Sequence, residues 1–276
     1  MAYRKRVKIA VIDMNNGTAN QGMRGIQEIL LRYKYEHDLD LRFDVFDLRQ
    51  KGEIPDLSYD IYISSGGPGS PFEGKGMKWE NDFFDLLTDL EKFNEQSYSG
   101  KKHAFLICHS YQLACRKFNV GEVIARRSTA FGIFPVFLTA EGIDDLIFEG
   151  LDNPFFTVDS RDWQVVSVSE SGNNANTNVL ALEKERPHVD LERCIMSVRF
   201  TKEIVGTQFH PEADPVGMKM YLLRDDKKES IIANHGLEKY EHMLSTLEDV
   251  NKLQLTQSII LPNFITEALT ALTVEA

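Results

Sequence analysis

Cysteine is scarce in this sequence, and its placement excludes two architectures. Cys108, Cys115 and Cys194 are odd in number and lack zinc-ligand spacing, so neither a disulfide framework nor a structural zinc site is expected. No apolar run approaches the length of a membrane span. The opening, Met1-Ala2-Tyr3-Arg4-Lys5-Arg6, leads straight into a strand-like run rather than a secretory signal, so a cytoplasmic protein with no membrane partner is expected. Positive charge is also in deficit: 31 Lys and Arg against 42 Asp and Glu leave a net charge of −11. Beyond Arg4-Lys5-Arg6 there is no basic stripe, so nucleic acid is not an expected partner. The seven histidines form no H-x-x-x-H pair, and no metal or other cofactor is assigned. There is no internal repeat.

What is present is ordinary for a globular protein: 42% hydrophobic and 26% charged residues. At 276 residues the chain can bury a full core in one large domain, or in one domain with an extension. Val7 to Asp13 reads as a first strand, and Met23 to Tyr35 as an amphipathic helix with Ile26, Ile29 and Leu30 on one side. Phe43 to Phe46, Ile61 to Ser64 and Ala104 to Ile107 give three more strands, with a crossover helix around Trp79 to Leu87. Strands alternating with helices imply an α/β fold with a doubly wound, mostly parallel sheet.

From Phe134 the regime changes. Phe134 to Leu138, Gln164 to Val168, Val179 to Leu182, Ile195 to Phe200 and Ile204 to Phe209 are strand-like with short connections, which suggests an added, partly antiparallel portion. Ser171 to Asn178 is a cluster of turn formers, expected as an exposed hairpin loop. After Pro215 the pattern turns helical through Met218 to Leu223 and Leu237 to Leu255. The run Ile259-Ile260-Leu261-Pro262-Asn263-Phe264-Ile265 is too apolar for a solvated tail, so it packs back on the domain or forms a homodimer contact. The expected division is a domain over residues 1–215 and a helical C-terminal extension over 216–276.

Three strand ends carry the chemistry. Leu106-Ile107-Cys108-His109-Ser110-Tyr111-Gln112 places Cys108 between the strand ending at Ile107 and a helical stretch in which Leu113, Ala114 and Phe118 share a face. A thiol there meets unpaired N–H groups and the positive end of a helix dipole, which favours thiolate. Taken alone it is more often an inert core residue. Ser64-Ser65-Gly66-Gly67-Pro68-Gly69-Ser70-Pro71 follows another strand, and Thr207-Gln208-Phe209-His210-Pro211-Glu212 ends a third. In an open α/β sheet, ligands bind outside the carboxyl ends of the strands, where three such loops converge.

Together these elements resemble the class I, triad-type glutamine amidotransferases, whose nucleophile loop reads G-x-C-x-G-x-Q and whose base loop ends in His-Pro-Glu. The resemblance runs from about Val7 to Pro215 and implies a flavodoxin-like sheet. Cys108 and Gln112 fit the nucleophile loop, whereas Leu106 stands at its first glycine and Ser110 at its second. Carried over residue by residue, the resemblance makes Cys108 the nucleophile, His210 the proton shuttle and Glu212 its orienting carboxylate. It places the oxyanion donors on the backbones of Gly67 and His109, and substrate contacts on Gly66, Gly69 and Gln112. Residues i and i+2 of an extended segment project to the same side, and Pro211 fixes one backbone angle between them, so Glu212 can reach His210.

The implied reaction is thiolate attack on the side-chain amide of glutamine, giving a thioester and ammonia. The implied partners are glutamine or a γ-glutamyl small molecule, and a separate synthase subunit that accepts the ammonia, since only 61 residues follow Pro215. Two alternatives stay open: a γ-glutamyl peptide hydrolase with the same triad, and a catalytically degenerate binding protein whose pocket Leu106 fills. Gln112 equally suits a helix cap or a surface position, and His210 without Glu212 would read as a surface loop residue.

Overall fold

The computed structural model describes residues 6–166, 177–186, 192–249 and 251–274. The expected hairpin loop lies outside these residues except for its last two positions, as does Val168. In chain order the described elements are β1 (Val7–Asp13), α1 (Gln21–Glu36), β2 (Leu41–Asp47), α2 (Leu48–Lys51), β3 (Ile61–Ser64), α3 (Lys78–Gln96), β4 (His103–Ile107), α4 (His109–Phe118) and β5 (Glu122–Leu138). There follow α5 (Ala140–Ile143), β6 (Phe155–Val166), β7 (Asn178–Glu183), β8 (Ile195–Arg199), β9 (Ile204–Thr207), α6 (Pro215–Leu222), α7 (Asp225–His235), α8 (Leu237–Thr246) and α9 (Leu253–Val274).

The nine strands of the described residues join one sheet in the order β2-β1-β3-β4-β9-β8-β7-β5-β6. The pairs β2–β1, β1–β3, β3–β4 and β4–β9 are parallel. The pairs β9–β8, β8–β7, β7–β5 and β5–β6 are antiparallel. The sheet is therefore a doubly wound parallel half continued by an antiparallel half. Chain order reverses at β1 and β3, so a crevice opens at the carboxyl ends of the parallel strands.

Helices cover both faces. On one face α1 lays Ile26, Ile29, Leu30 and Tyr33, spaced for one helical side, against Ile9, Val11, Ile63 and Phe105. The Asn20 side chain caps this helix by accepting from the Gly22 and Met23 N–H groups. On the other face α3 and α4 bury Phe83, Leu87, Leu90, Leu113 and Phe118 against Ile12, Tyr62, Ala104 and Leu106. The helices α6, α7 and α8 close a smaller core with Val158, Met218, Leu222, Tyr240 and Met243. Among the described residues no helix is long and apolar enough to cross a membrane.

The C-terminal apolar run is helical, with Pro262 inside α9. Ile260, Leu261, Phe264 and Ile265 are fully buried in the same core as β1 and α1. Phe264 meets Phe105 at 5.2 Å between ring centroids, and the Thr266 hydroxyl bonds the Tyr33 hydroxyl at 2.8 Å. These apolar side chains are occupied within their own chain and do not offer the homodimer contact considered above.

Two strands extend well beyond their sequence signals. β5 begins at Glu122 rather than Phe134, because Arg126-Arg127-Ser128-Thr129 interrupts the apolar pattern at a shift in pairing between Ala125 and Ala130. β6 begins at Phe155 rather than Gln164, because two of its inward positions hold charges. Asp159 and Arg161 are both buried and pair at 2.7 Å, which satisfies them in the core but breaks apolar alternation in the sequence.

Candidate functional site

β4 and α4 meet at Cys108, the residue before the first turn of the helix, with φ +49° and ψ −97°. A non-glycine residue in this region is strained by on the order of 1–3 kcal/mol and persists only where its surroundings hold it. Here the Cys108 N–H donates to the Thr207 carbonyl at 2.7 Å, and its carbonyl accepts from the Gln112 N–H at 2.9 Å. The bend lifts the thiol out of the sheet and leaves the His109 N–H among those that no intrahelical partner satisfies.

Thr207 ends β9, the parallel neighbour of β4, so the residues after it run alongside Cys108. The His210 N–H donates to the Val158 carbonyl at 2.9 Å, which docks this loop onto β6. Its Nδ1 lies 2.8 Å from Glu212 Oε1, and Cys108 is near enough to act on the charge of the ring. Burial opposes charge on the imidazole, but the Glu212 carboxylate and Cys108 overcome it and raise the His210 pKa well above the usual histidine value. Glu212 is buried, and its Oε2 finds no hydrogen-bond partner among the described residues. The loop reaches so close to α1 that a side chain at Gly25 would collide with the Glu212 carbonyl.

The glycine loop closes the site from the β3 side. A Cβ at Gly66 would lie 2.8 Å from His210 Cε1 and 3.4 Å from Cys108 Cβ, so only glycine leaves the imidazole in place. At Gly67 a Cβ would run into the Met14 carbonyl oxygen, with Arg49 Nη1 3.1 Å away. Gly69 has φ +94° and abuts Glu73, farther along the loop from the thiol. The structure therefore brings Cys108, His210, Glu212 and Gly66 together, sets Gly67 beside them, and leaves Gly69 outside that cluster.

One expected contact is arranged differently. The Gln112 side chain is buried and donates to the Trp163 carbonyl at 3.2 Å and to Gln208 Oε1 at 3.1 Å. Gln208 Nε2 in turn lies 3.7 Å from Cys108 Sγ, so Gln112 reaches the nucleophile through a second amide. Gln208 was not singled out in the sequence, where it is one polar residue in a strand end. The His109 side chain turns beneath the loop toward Trp79, 6.4 Å between ring centroids. Burial and the nearby Arg49 and Arg116 lower its pKa to about 3, so it is a neutral ring and not a proton carrier at ordinary pH.

The departures at Leu106 and Ser110 do not fill the site. Leu106 is buried in the layer of α3 and α4, away from the face that Cys108 joins. Ser110 is fully buried; its hydroxyl donates to the Ser65 carbonyl at 2.6 Å and pairs with the Ser64 hydroxyl at 2.7 Å. It thereby ties the first turn of α4 to the base of the glycine loop. Among the described residues no group of three or more His, Cys, Asp or Glu side chains is placed to hold a metal ion.

The family described as glutamine amidotransferase class-I matches residues 23–229, three quarters of the chain. Among curated proteins none matches. Similar solved structures include a glutamine amidotransferase from Thermotoga maritima, with TM-score 0.68 and 14% identity, covering 96% of this chain and 99% of that one. A glutamine amidotransferase from Methylobacillus flagellatus aligns with TM-score 0.65 and 11% identity over 97% and 95% of the two chains. The glutaminase domain of Trypanosoma brucei CTPS, solved with bound acivicin, aligns with TM-score 0.55 and 12% identity over 90% and 97%. At these identities the structural likeness is one of fold.

Proposed function

Because this chain belongs to the class I glutamine amidotransferase family, we propose that it is a glutamine amidohydrolase acting through Cys108, His210 and Glu212. The meeting of these three side chains around Gly66, from the ends of β4 and β9, is the observation that carries this reading. The Cys108 thiolate attacks the side-chain amide carbon of glutamine and forms a tetrahedral intermediate. Its oxyanion is met by the N–H groups of Gly67 and His109, aimed where charge develops. His210 donates its proton to the departing nitrogen, leaving a γ-glutamyl thioester and free ammonia. Water then attacks the thioester with His210 as base, releasing glutamate and restoring the thiol. Glu212 holds the imidazole in the working orientation throughout.

Gln112 and Gln208 form the floor beneath the thiol, and Gly66 gives substrate close access to backbone beside His210. Ammonia passes to a separate acceptor subunit. In support, one fold neighbour is itself described as a glutaminase domain.

Intact-protein mass spectrometry with glutamine, a γ-glutamyl peptide and acivicin in parallel tests this reading. Acivicin is expected to leave one covalent adduct that Cys108→Ala abolishes, with glutamate released from glutamine by the wild type alone. Turnover of the peptide without glutamine would replace the amidohydrolase by a γ-glutamyl peptide hydrolase, and no adduct or turnover with any of the three would remove the catalytic reading.

A further inference from the structure

Arg49, the second residue of the short helix α2, belongs to none of the three loops that carry the triad, yet its side chain is only 4% exposed. Its Nη1 donates to the Met14 carbonyl at 3.0 Å, just beyond β1, and to the Pro68 carbonyl at 2.7 Å, in the glycine loop. Its Nη2 pairs with Glu73, farther along the same loop, and the guanidinium lies 5.1 Å from the centroid of the Trp79 ring. One planar side chain therefore joins a fixed strand end to two points of the loop that flank Gly69.

The point where these contacts meet is Gly67. A Cβ there would meet both the Met14 carbonyl oxygen and Arg49 Nη1. The backbone of Gly67 is thus packed against the very carbonyl that Arg49 holds, with Pro68 held on its other side. Nothing else among the described contacts ties Pro68 to β1. The loop tip has its own anchor, since Arg116 donates to the Pro71 carbonyl, pairs with Glu80 and covers the Phe72 ring at 4.7 Å. Ser65 anchors the other end, its N–H donating to the Ile12 carbonyl at 2.9 Å and its hydroxyl to the Gly66 carbonyl at 2.9 Å, so removing Arg49 would leave the tip and Ser65 tethered while freeing the Pro68 side of Gly67.

We propose that Arg49 is a positioning residue that fixes the Gly66–Gly67 peptide so that its N–H points at the oxyanion of the tetrahedral intermediate. The proposal rests on the cysteine-acylation reading above and adds a residue outside its motifs. A guanidinium suits the task because its fork serves two carbonyls and a carboxylate at once from one rigid plane, which the single ammonium of lysine cannot do. Burial lowers the Arg49 pKa while Glu73 opposes that shift. The arginine is thus kept where the loss of hydration is offset only by these directed contacts.

The test compares two reagents at Cys108. p-Nitrophenyl acetate is attacked at its carbonyl carbon; an S–C bond forms, an oxyanion develops, and its collapse expels p-nitrophenolate. Iodoacetamide is attacked at saturated carbon, and iodide leaves with no oxyanion formed. Arg49→Met is expected to slow acylation about 10- to 100-fold, the scale of a misplaced oxyanion donor, while alkylation stays within about twofold, a generous bound for a step that builds no oxyanion. Arg49→Lys should recover part of the acylation rate, and Arg116→Met, measured as the control for general loosening of the loop, should leave the ratio of the two rates unchanged. Equal losses in both reactions for Arg49→Met, or no loss in either, would overturn the proposal. So would a wild-type ratio no higher than that of free cysteine with the same reagents. A raised ratio lost in Arg49→Met, in a wild type that fails to turn over glutamine, would uphold Arg49 and remove the glutamine reading alone.

Discussion

Leu106 of β4 and Gly206 of β9 face each other across a parallel pair, and the glycine makes room for the leucine. A Cβ at Gly206 would lie 3.3 Å from Leu106 Cβ and 3.0 Å from both the Leu106 carbonyl oxygen and the Tyr111 ring. The small residue the nucleophile loop lacks at position 106 is supplied by the neighbouring strand. Leu106 is thereby a core residue of the α3 and α4 layer, apart from the core that Cys108 joins.

Leu106→Gly is accordingly expected to destabilise the fold without opening the site. Loss of a buried leucine costs about 2–5 kcal/mol in cavity and transfer free energy, and glycine in a central strand adds to it. Urea denaturation should report this loss, with glutamine turnover per folded molecule no higher than wild type. A gain in turnover would return Leu106 to the pocket.

The second expectation concerns α9. Phe264 is fully buried against Phe105, and the helix is further tied by Asn263, whose Nδ2 donates to the carbonyls of Leu146 and Glu149 at 3.1 and 2.9 Å. Phe264→Ala should cost about 3–5 kcal/mol, read as a lowered urea midpoint. A change in oligomeric mass at an unaltered midpoint would contradict the packing of α9 into its own core.

The parts of the molecule legible in the sequence are those whose signal is local. Cys108 could be placed at a strand-to-helix bend because the apolar run before it and the helical spacing after it are adjacent; Glu212 reaches His210 as expected, but through a turn at Pro211 and Glu212 closed by the Ala213 N–H on the His210 carbonyl at 3.3 Å, and not through an extended segment. The direction of Leu106 could not be read in the same way. β4 is buried at all five positions, so its two faces carry the same apolar residues and no alternation tells them apart. β6 was hidden by Asp159 and Arg161, whose pairing is visible only when the strand is formed. The helical character of the C-terminal extension was legible, but the bounds of α9 were not, because Pro262 lies inside the helix and its course is decided by tertiary packing and not by periodicity. Arg49 lies 59 residues from Cys108 and acts on a backbone carbonyl, a relation with no sequence signature.

The last expectation follows from the charge on His210. Its pKa is raised against the effect of burial because Glu212, buried and with Oε2 unpartnered, gains its compensating charge from the protonated imidazole, and Cys108 adds to the effect. With the folded value above the unfolded value of about 6.5, protonated His210 contributes stability that is fully present below that pH. The contribution is lost as pH rises through the folded value. Glu212→Gln keeps the shape but removes the larger of the two favourable charges, so the folded pKa should fall. NMR titration of the His210 Cε1–H resonance, assigned by its loss in His210→Asn, should place the wild type above 6.5 and Glu212→Gln below the wild type. The stability difference between the two proteins should be greatest at low pH and shrink as pH rises through the wild-type value. In the same variant the pH limb of glutamine turnover that reports imidazolium should move down with the resonance. A wild-type resonance titrating at or below about 6.5, or one unmoved by Glu212→Gln, would show that Glu212 does not hold the charge on His210.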